Sequence, residues 1–336
     1  MKIVTVTRSL PSSHPDSLVD SECPIPAPSG RDVLVRVEAV SVNPVDTKVR
    51  VAHRSEAEPR VLGWDAAGHV EAVGNAVTLF RPGDAVYYAG DITRPGSNAQ
   101  YQLVDERIVA HKPSTLDWED AAAWPLVGIT AYEALFERLR IPLGEAGSGR
   151  RLLIIGAGGG VGSAAIQLAK LAGLTVAATA SRPASAAWVR QLGADVVVDH
   201  RQALRPQLED AGIQAVDYIL NCVDTDAYWD TMADLIAPQG SLCTIVDHKH
   251  PLNHAALKTK SVTHAWEFMF TRAKFRTPDM IEQHRLLTRL AAWIDEGRLQ
   301  PIVHVRKRPI CAASLREAHA MLETGTMIGK LVLSGW

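Results

Sequence analysis

A short apolar run, a glycine-rich turn and an amphipathic segment follow one another in the middle of the chain. The run RLLII at 151–155 is apolar along most of its length, which is typical of a parallel strand buried on both faces. After the turn, Val161, Leu168 and Ala172 recur on one helical face. A strand, a turn and a helix in this order predict the first unit of a βαβ fold.

The turn matches the dinucleotide-binding pattern in the form A-x-G-x-x-G. Gly159 lets backbone N–H groups approach a pyrophosphate without an intervening Cβ, and Gly162 permits close packing of strand and helix. The helix that begins near Gly160 directs its positive end at the anion. The predicted cofactor-binding residues of the turn are Ala157, Gly158, Gly159, Gly160, Val161 and Gly162.

The end of the second strand of this unit indicates which nicotinamide cofactor binds. An NAD site places Asp or Glu about 20 residues beyond the glycine turn, where it holds the ribose 2′-OH. Here that strand ends without an acid and runs into Ser181 and Arg182. Ser181 can donate a hydrogen bond, and Arg182 supplies a cation suited to a phosphate. We therefore expect NADPH, with His200 after the third strand as an additional candidate; a solvated arginine and a surface histidine are the alternatives.

The length of 336 residues and two textures of sequence predict two domains. Residues 1–125 hold short alternating runs such as Asp32–Val42 among frequent turn residues, which is typical of an antiparallel, barrel-like domain. Residues 126–265 alternate apolar strands with helices and predict a doubly wound parallel sheet of the α/β class. Residues 266–336 are too few to fold alone, so we expect them to return to the first domain.

Charge and composition argue against several classes of protein. The chain has 35 basic and 37 acidic residues and no cluster of basic charge, which argues against a nucleic-acid partner. No apolar run approaches the roughly 18 residues that span a bilayer, and the N-terminus lacks the apolar stretch of a secretory signal. Four scattered cysteines favour a reducing compartment. We therefore expect a cytoplasmic protein without membrane or nucleic-acid partners.

Short motifs along almost the whole chain carry a family resemblance. Besides the glycine turn they are SVNPVD at 41–46, LGWDAAG at 62–68, PLVGITA at 125–131, LGAD at 192–195, APQG at 237–240 and WEFMF at 266–270. With these motifs the chain resembles the medium-chain dehydrogenase/reductase superfamily, most of all its quinone oxidoreductase branch and the zinc-type alcohol dehydrogenase-like group. The resemblance implies a GroES-like catalytic domain, a Rossmann domain, a cofactor in the cleft between them, and a homodimer formed through the edge of the nucleotide-domain sheet.

The positions that carry zinc ligands in the superfamily differ in this chain. Zinc enzymes of the family take a Cys near Asn43 and a His after Gly63, whereas this chain has Asn43 and Trp64 there. Neither a carboxamide nor an indole is a useful zinc ligand. The His-rich stretch 248–254 is interpreted as a solvated loop, because Pro251 interrupts the helix that would aim two imidazoles together. We therefore predict no metal at the catalytic site.

Without a metal, the hydride acceptor needs to be strongly electrophilic. Quinones and α,β-unsaturated carbonyls qualify, because the negative charge spreads into the conjugated system and hydrogen-bond donors can stabilise the oxygen. The resemblance makes Asn43 the first candidate donor, with Tyr88 as another and Asp46 as the group that orients either Asn43 or the local backbone. The candidate substrate-binding aromatics, for which core packing or a dimer contact is the alternative, are Trp64, Tyr88, Trp266 and Phe270.

The remaining candidate residues concern the cofactor. Thr130 matches the family position that lines the nicotinamide side. Val223, Ile245 and Val246 lie just beyond strand ends, where a doubly wound sheet binds its ligand. Lys330 is a candidate for the cofactor phosphate, with a surface lysine as the alternative. Two other functions stay open: an alcohol dehydrogenase that recruits metal through unexpected ligands, and an NADPH-binding protein with a structural, sensory or RNA-binding role and little turnover.

Overall fold

The computed structural model describes residues 1–55, 57–144 and 149–336, and the chain forms two compact units. The first unit comprises Met1–Ile129 together with Phe270–Trp336, and the second comprises Thr130–Met269. The C-terminal segment thus belongs to the first unit, and each boundary lies four residues beyond the expected one. In the described ranges no helix has both the length and the apolar character needed to cross a membrane.

The described residues form sixteen strands and eleven α-helices. The strands are β1 Lys2–Val6, β2 Val19–Glu22, β3 Asp32–Val42, β4 Arg60–Val61, β5 Ala66–Val73, β6 Ala85–Tyr88, β7 Tyr101–Asp105, β8 Val109–His111, β9 Arg151–Ile155, β10 Thr175–Thr179, β11 Val196–Val198, β12 Val216–Asn221, β13 Ile236–Thr244, β14 Thr263–Trp266, β15 Val303–Lys307 and β16 Lys330–Ser334. The α-helices are α1 Pro44–Ala52, α2 Trp118–Ala122, α3 Pro125–Tyr132, α4 Gly160–Leu171, α5 Pro183–Gln191, α6 Leu204–Asp210, α7 Thr225–Leu235, α8 Ala255–Lys258, α9 Thr271–Phe275, α10 Glu282–Asp295 and α11 Ala312–Glu323.

The first unit is built on a mainly antiparallel sheet in the order β15-β16-β3-β5-β6-β8, with β7 also paired to β3. Val33, Val35 and Val37 of β3 are buried and Arg36 and Glu38 are less so, as the alternating pattern predicts, but Leu34 on the second face is buried as well. β16 pairs antiparallel with β3, and Leu331 lies opposite Val42. This register carries the C-terminal strand to the point where β3 ends and α1 begins.

The second unit contains a six-stranded parallel sheet in the order β11-β10-β9-β12-β13-β14. β10 and β11 lie on one side of β9, and β12, β13 and β14 lie on the other. Leu153, Ile219 and Leu242 are fully buried in this sheet, as the apolar runs predict. The predicted doubly wound α/β fold is therefore confirmed, and its topological switch point lies between β9 and β12, where such sheets bind ligands.

Candidate functional site

The turn that links β9 to α4 requires glycine at two positions, one because of its backbone conformation and both because of close contacts. Gly156 has a φ of 80°, and a Cβ there would lie 2.6 Å from Cγ1 of Val223. A Cβ on Gly162 would lie 2.4 Å from the carbonyl oxygen of Ala157. Real Cβ atoms essentially never come this close, so Gly162 allows the helix to pack against the turn, which is the geometry that its predicted role requires.

The other face of the turn is open to an anion. A Cβ on Gly158 would meet nothing closer than Cβ of Ser185 at 3.4 Å, and one on Gly159 nothing closer than 3.7 Å. Gly159 is the N-cap of α4 and has no side chain to satisfy the first-turn N–H groups. Gly160 and Val161 begin the helix, so their N–H groups belong to this unsatisfied set. The turn therefore fits the pyrophosphate of a dinucleotide.

The residues predicted to select NADPH lie after the ends of β10 and β11, where the structure adds one further arginine, Arg201. Ser181 follows β10, and Arg182 is the N-cap of α5. His200 is exposed after β11. Nη2 of Arg201 donates to the carbonyl oxygen of Ser181 at 2.6 Å. Sequence reasoning missed Arg201, although its position directly after His200 on the loop beyond β11 was a usable signal.

The ends of β12 and β13 are tied together by a buried side chain that the sequence analysis did not single out. Asn221 accepts the N–H of Val223 through Oδ1 at 3.2 Å and the N–H of Ile245 through its carbonyl oxygen at 3.2 Å. The Oγ1 of Thr225 donates to the carbonyl oxygen of Val246 at 2.5 Å. The three predicted strand-end residues are thus held by one network at the carboxyl edge of the sheet.

Two further predicted residues belong to the second unit. Thr130 lies in α3 and is buried. Trp266 ends β14 with 43% of its surface exposed, and its ring centroid lies 5.4 Å from that of His264 and 5.9 Å from that of His248. Burial, followed by the nearby charges of His254 and His248, lowers the pKa of His264 to about 4, so this imidazole is neutral at pH 7.

A buried polar cluster in the first unit contains three of the predicted residues, Asn43, Asp46 and Lys330. Nζ of Lys330 donates to Oδ1 of Asn43 at 2.5 Å, to Oδ2 of Asp65 at 3.1 Å and to the carbonyl oxygen of Val42 at 3.1 Å. Nδ2 of Asn43 donates to Oδ2 of Asp65 at 2.8 Å and to the carbonyl oxygen of Ser41 at 3.3 Å. Because an ammonium group only donates, it fixes which way the Asn43 amide faces.

This cluster uses every polar hydrogen of its two central side chains. Asn43 has two amide hydrogens and Lys330 has three ammonium hydrogens, and each has an acceptor inside the cluster. Donation by Asn43 to a substrate, or by Lys330 to a cofactor phosphate, requires one of these bonds to open. Both roles stay predictions, and the sequence analysis missed Asp65 as the shared partner.

Asp46 holds the backbone of Asn43, which is one of the two arrangements predicted for it. Its Oδ2 accepts the N–H of Asn43 at 2.6 Å at the start of α1. Burial raises the pKa of Asp46 to about 7, although the Asn43 N–H and the Lys330 ammonium act in the opposite direction. Burial also raises the pKa of Asp65, against the charge of Lys330. Both carboxyl groups of the cluster therefore ionise less readily than they would in water.

The aromatic candidates of the first unit are fully buried. Trp64 packs edge-to-face on Phe270 with ring centroids 6.1 Å apart, and its Nε1 donates to the carbonyl oxygen of Asp91 at 3.2 Å. The hydroxyl of Tyr88 is buried and has no hydrogen-bond partner among the residues that the structure describes. Burial raises the pKa of Tyr88, so its phenol stays protonated at neutral pH. Because buried polar groups usually have a hydrogen-bond partner, this hydroxyl is a candidate for contact with a ligand.

The described residues do not fit a catalytic zinc ion. Within the described ranges, no three His, Cys, Asp or Glu side chains are grouped so that they could hold a metal. Asn43 and Trp64 are buried and already hydrogen-bonded. The histidines at 248 and 250 lie in an exposed loop in which Asp226 accepts the backbone N–H of Lys249 and of His250. The metal-free site stays a prediction.

Comparison with known proteins identifies both parts of the chain. Residues 29–114 match the family described as alcohol dehydrogenase GroES-like domain, and residues 192–333 match the family described as zinc-binding dehydrogenase. A zinc-type alcohol dehydrogenase-like protein from Staphylococcus aureus is 47% identical over 310 residues and covers 92% of each chain. The chloroplastic quinone-oxidoreductase QR1 from Triphysaria versicolor is 27% identical over 93% of this chain and 92% of its own.

Solved structures show the same relationship. A Rhizobium etli CFN 42 protein, provisionally named a zinc-dependent alcohol dehydrogenase, is 49% identical with a TM-score of 0.95 and covers 100% of this chain and 98% of its own. The mycobacterial protein Rv1454c, complexed with NADPH, is 26% identical with a TM-score of 0.85 over 99% of this chain and 100% of its own. The chain therefore belongs to the medium-chain dehydrogenase/reductase superfamily of NAD(P)-dependent oxidoreductases, among the zinc-type alcohol dehydrogenase-like proteins.

Proposed function

We propose that this protein is a zinc-independent, NADPH-dependent reductase of quinones or α,β-unsaturated carbonyls. The observation that carries the proposal is the identity of Asn43 and Trp64 at the positions where the family's zinc enzymes have ligands. Their side chains are buried and hydrogen-bonded to Asp65 and Asp91. Without a Lewis acid, an acceptor whose own conjugation disperses negative charge is the suitable substrate class. The similarity to a quinone-oxidoreductase supports this choice.

The second unit supplies the residues that would hold the cofactor. The open face of the turn at Gly158 and Gly159 fits the pyrophosphate, and Arg182 stands where an NAD enzyme has an acid. The choice of NADPH over NADH rests on this arginine, because one similar mycobacterial protein forms a complex with NADPH and another similar protein is named an NAD-dependent alcohol dehydrogenase. When bound, NADPH supplies the hydride from its nicotinamide ring. The chain itself contributes binding and orientation through Val223, Ile245 and the adjacent strand ends.

Tyr88 is the residue that we propose to stabilise the acceptor oxygen. Its phenol is protonated at neutral pH and its hydrogen has no recipient among the described residues. Asn43 is the second candidate, because both of its amide hydrogens are already donated. A donor that is not already engaged loses no existing hydrogen bond when it meets an oxygen that gains negative charge.

We further propose a cytoplasmic homodimer that forms through β14. This strand is the last in the order of the parallel sheet, so one of its edges has no neighbouring strand among those described. Trp266 and Phe268 at its end expose 43% and 44% of their surfaces, which is the kind of edge that proteins cover by pairing. Light scattering tests the assembly: Trp266→Glu is expected to give monomers, and a monomeric wild-type protein would exclude the dimer.

The activity is tested with purified protein whose metal content has been measured. After dialysis against a chelator, NADPH consumption is followed with a benzoquinone, an aliphatic enone and a simple ketone. We expect turnover of the first two and little of the third. Stoichiometric zinc that is required for turnover would support the alcohol dehydrogenase alternative. Tight NADPH binding without turnover of any acceptor would support a non-catalytic role.

A further inference from the structure

The loop after β11 holds an arginine in a defined orientation beside the end of β10. Nε and Nη2 of Arg201 donate to the carboxylate of Asp199 at 3.1 and 2.7 Å, and Nη2 also donates to the carbonyl oxygen of Ser181 at 2.6 Å. The backbone N–H of Arg201 donates to Oδ1 of Asp199 at 2.9 Å. Three bonds of the guanidinium group, together with the backbone bond to the same carboxylate, therefore orient a side chain that is 65% exposed.

These bonds leave one end of the guanidinium group unused. Nε and Nη2 carry three hydrogens, and each has an acceptor on Asp199 or Ser181. The two hydrogens of Nη1 have no acceptor among the described residues. A guanidinium that is oriented in advance and still has free hydrogens loses little conformational entropy when it binds an anion.

The position of this arginine matches the part of NADPH that NADH lacks. Ser181, whose carbonyl oxygen Arg201 contacts, follows the strand whose end receives the ribose in a dinucleotide-binding sheet. Arg182 is the next residue, so two arginines adjoin the same backbone segment. We infer that Arg201, oriented by Asp199, is a specificity-determining residue that recognises the 2′-phosphate of NADPH. This inference rests on the proposed use of NADPH.

Asp199 leads to a second expectation, which concerns the binding of NADH. Its hydrogen bonds to Arg201 hold its pKa at about 2, so it is ionised at neutral pH. As long as Arg201 is hydrogen-bonded to the carboxylate of Asp199, that carboxylate is not free to accept a hydrogen bond from a ribose hydroxyl. Removal of the guanidinium is therefore expected to weaken NADPH binding and to leave NADH binding unchanged or improved, because a free carboxylate accepts a 2′-OH and repels a 2′-phosphate.

The test measures cofactor binding directly, by titrating the full-length protein with NADPH and with NADH and following nucleotide fluorescence. Arg201→Ala is compared with wild type and with Arg285→Ala. Arg285 is a matched control because it is also 65% exposed and pairs with one nearby carboxylate, that of Glu282. For Arg201→Ala we expect a loss of NADPH affinity of roughly 10- to 100-fold and an NADH affinity within about twofold of wild type. Arg285→Ala should change neither.

Arg201→Lys separates charge from geometry. It keeps the positive charge but lacks the planar fork, so we expect an NADPH affinity between those of wild type and Arg201→Ala. Full NADPH affinity in Arg201→Ala, or an equal loss for both nucleotides, would overturn the inference while the proposed function stood. A wild-type protein that binds neither nucleotide would overturn the proposed function and this inference with it.

Discussion

Replacement of Lys330 by Met tests the polar cluster of the first unit. The Lys330 side chain is 3% exposed and that of Asp65 is 0% exposed, and 3.1 Å separates Nζ from Oδ2. Loss of the ammonium leaves a buried carboxylate whose remaining donors are the amide of Asn43 and the N–H of Leu126, at 2.8 Å each. The carbonyl oxygen of Val42 loses its contact with Nζ as well.

The size of the effect follows from this burial. Removing one partner of a buried ion pair costs about 3–5 kcal/mol, because it leaves an uncompensated charge in a poorly solvated place. We therefore expect Lys330→Met to lower the free energy of unfolding by about that amount. The double variant Asp65→Asn/Lys330→Met contains no buried charge from this pair. We expect its destabilisation to be at least about 2 kcal/mol smaller than the sum of the two single variants.

Urea unfolding followed by circular dichroism gives the comparison. Lys307→Met is the control, since Lys307 is 24% exposed and pairs at 2.6 Å with Glu317, which is 65% exposed. A surface pair of this kind contributes about 0–1 kcal/mol, so this variant should unfold close to wild type. If Lys330→Met cost no more than Lys307→Met, or if the double variant lost the full sum, the assignment of a buried charge pair would be wrong.

Three other comparisons test individual residues. Gly162→Ala places a Cβ 2.4 Å from the carbonyl oxygen of Ala157 and should cost about 1–3 kcal/mol of stability by urea unfolding, whereas Gly159→Ala, with nothing within 3.7 Å, should instead weaken NADPH binding in a fluorescence titration. Tyr88→Phe should lower kcat about tenfold or more at unchanged thermal stability, whereas Tyr87→Phe, which loses a 2.6 Å bond to the carbonyl oxygen of Leu287, should cost about 1 kcal/mol of stability. His319 is buried and its pKa is lowered to about 4, chiefly by burial and then by the charge of Arg50. The unfolded chain binds a proton at His319 more tightly than the folded chain does, so wild type loses stability as the pH falls. The free energy of unfolding of His319→Gln, relative to wild type, should therefore be about 2 kcal/mol higher at about pH 5 than at about pH 7. Equal stabilities of the two glycine variants, an unchanged kcat in Tyr88→Phe, or parallel pH profiles for His319→Gln and wild type would refute the respective argument.

The glycine turn could be predicted from sequence because everything it requires is local. The apolar run at 151–155, the small residues after it and the helical spacing beyond them lie within about two dozen residues. The close contact of Gly162 with Ala157 spans five positions of chain. Such a pattern constrains backbone conformation directly, and the structure reproduces the expected strand, turn and helix.

The environment of Lys330 could not be predicted in this way. The bond from Lys330 to Asn43 joins residues 287 positions apart and depends on the register in which Leu331 faces Val42. A shift of one residue would turn the lysine to the other face of the sheet. Arg201 was missed for a related reason, since its contact with Ser181 depends on the parallel register that sets Thr179 beside Val198.

The titrations of two buried groups, Asp46 and His319, have opposite effects on the stability of the wild-type protein. The folded pKa of Asp46 is raised from 3.8 to about 7 by burial, so its contribution to stability is lost progressively as the pH rises from 3.8 to about 7. The folded pKa of His319 is lowered to about 4, so stability is lost as the pH falls below the unfolded value of 6.5. Between about pH 4 and pH 6.5, stability falls with rising pH because of Asp46 and rises with rising pH because of His319. The two effects partly cancel in the wild-type protein. A flat stability profile would therefore be compatible with two strongly perturbed groups, and only substitution of one of them makes the other visible.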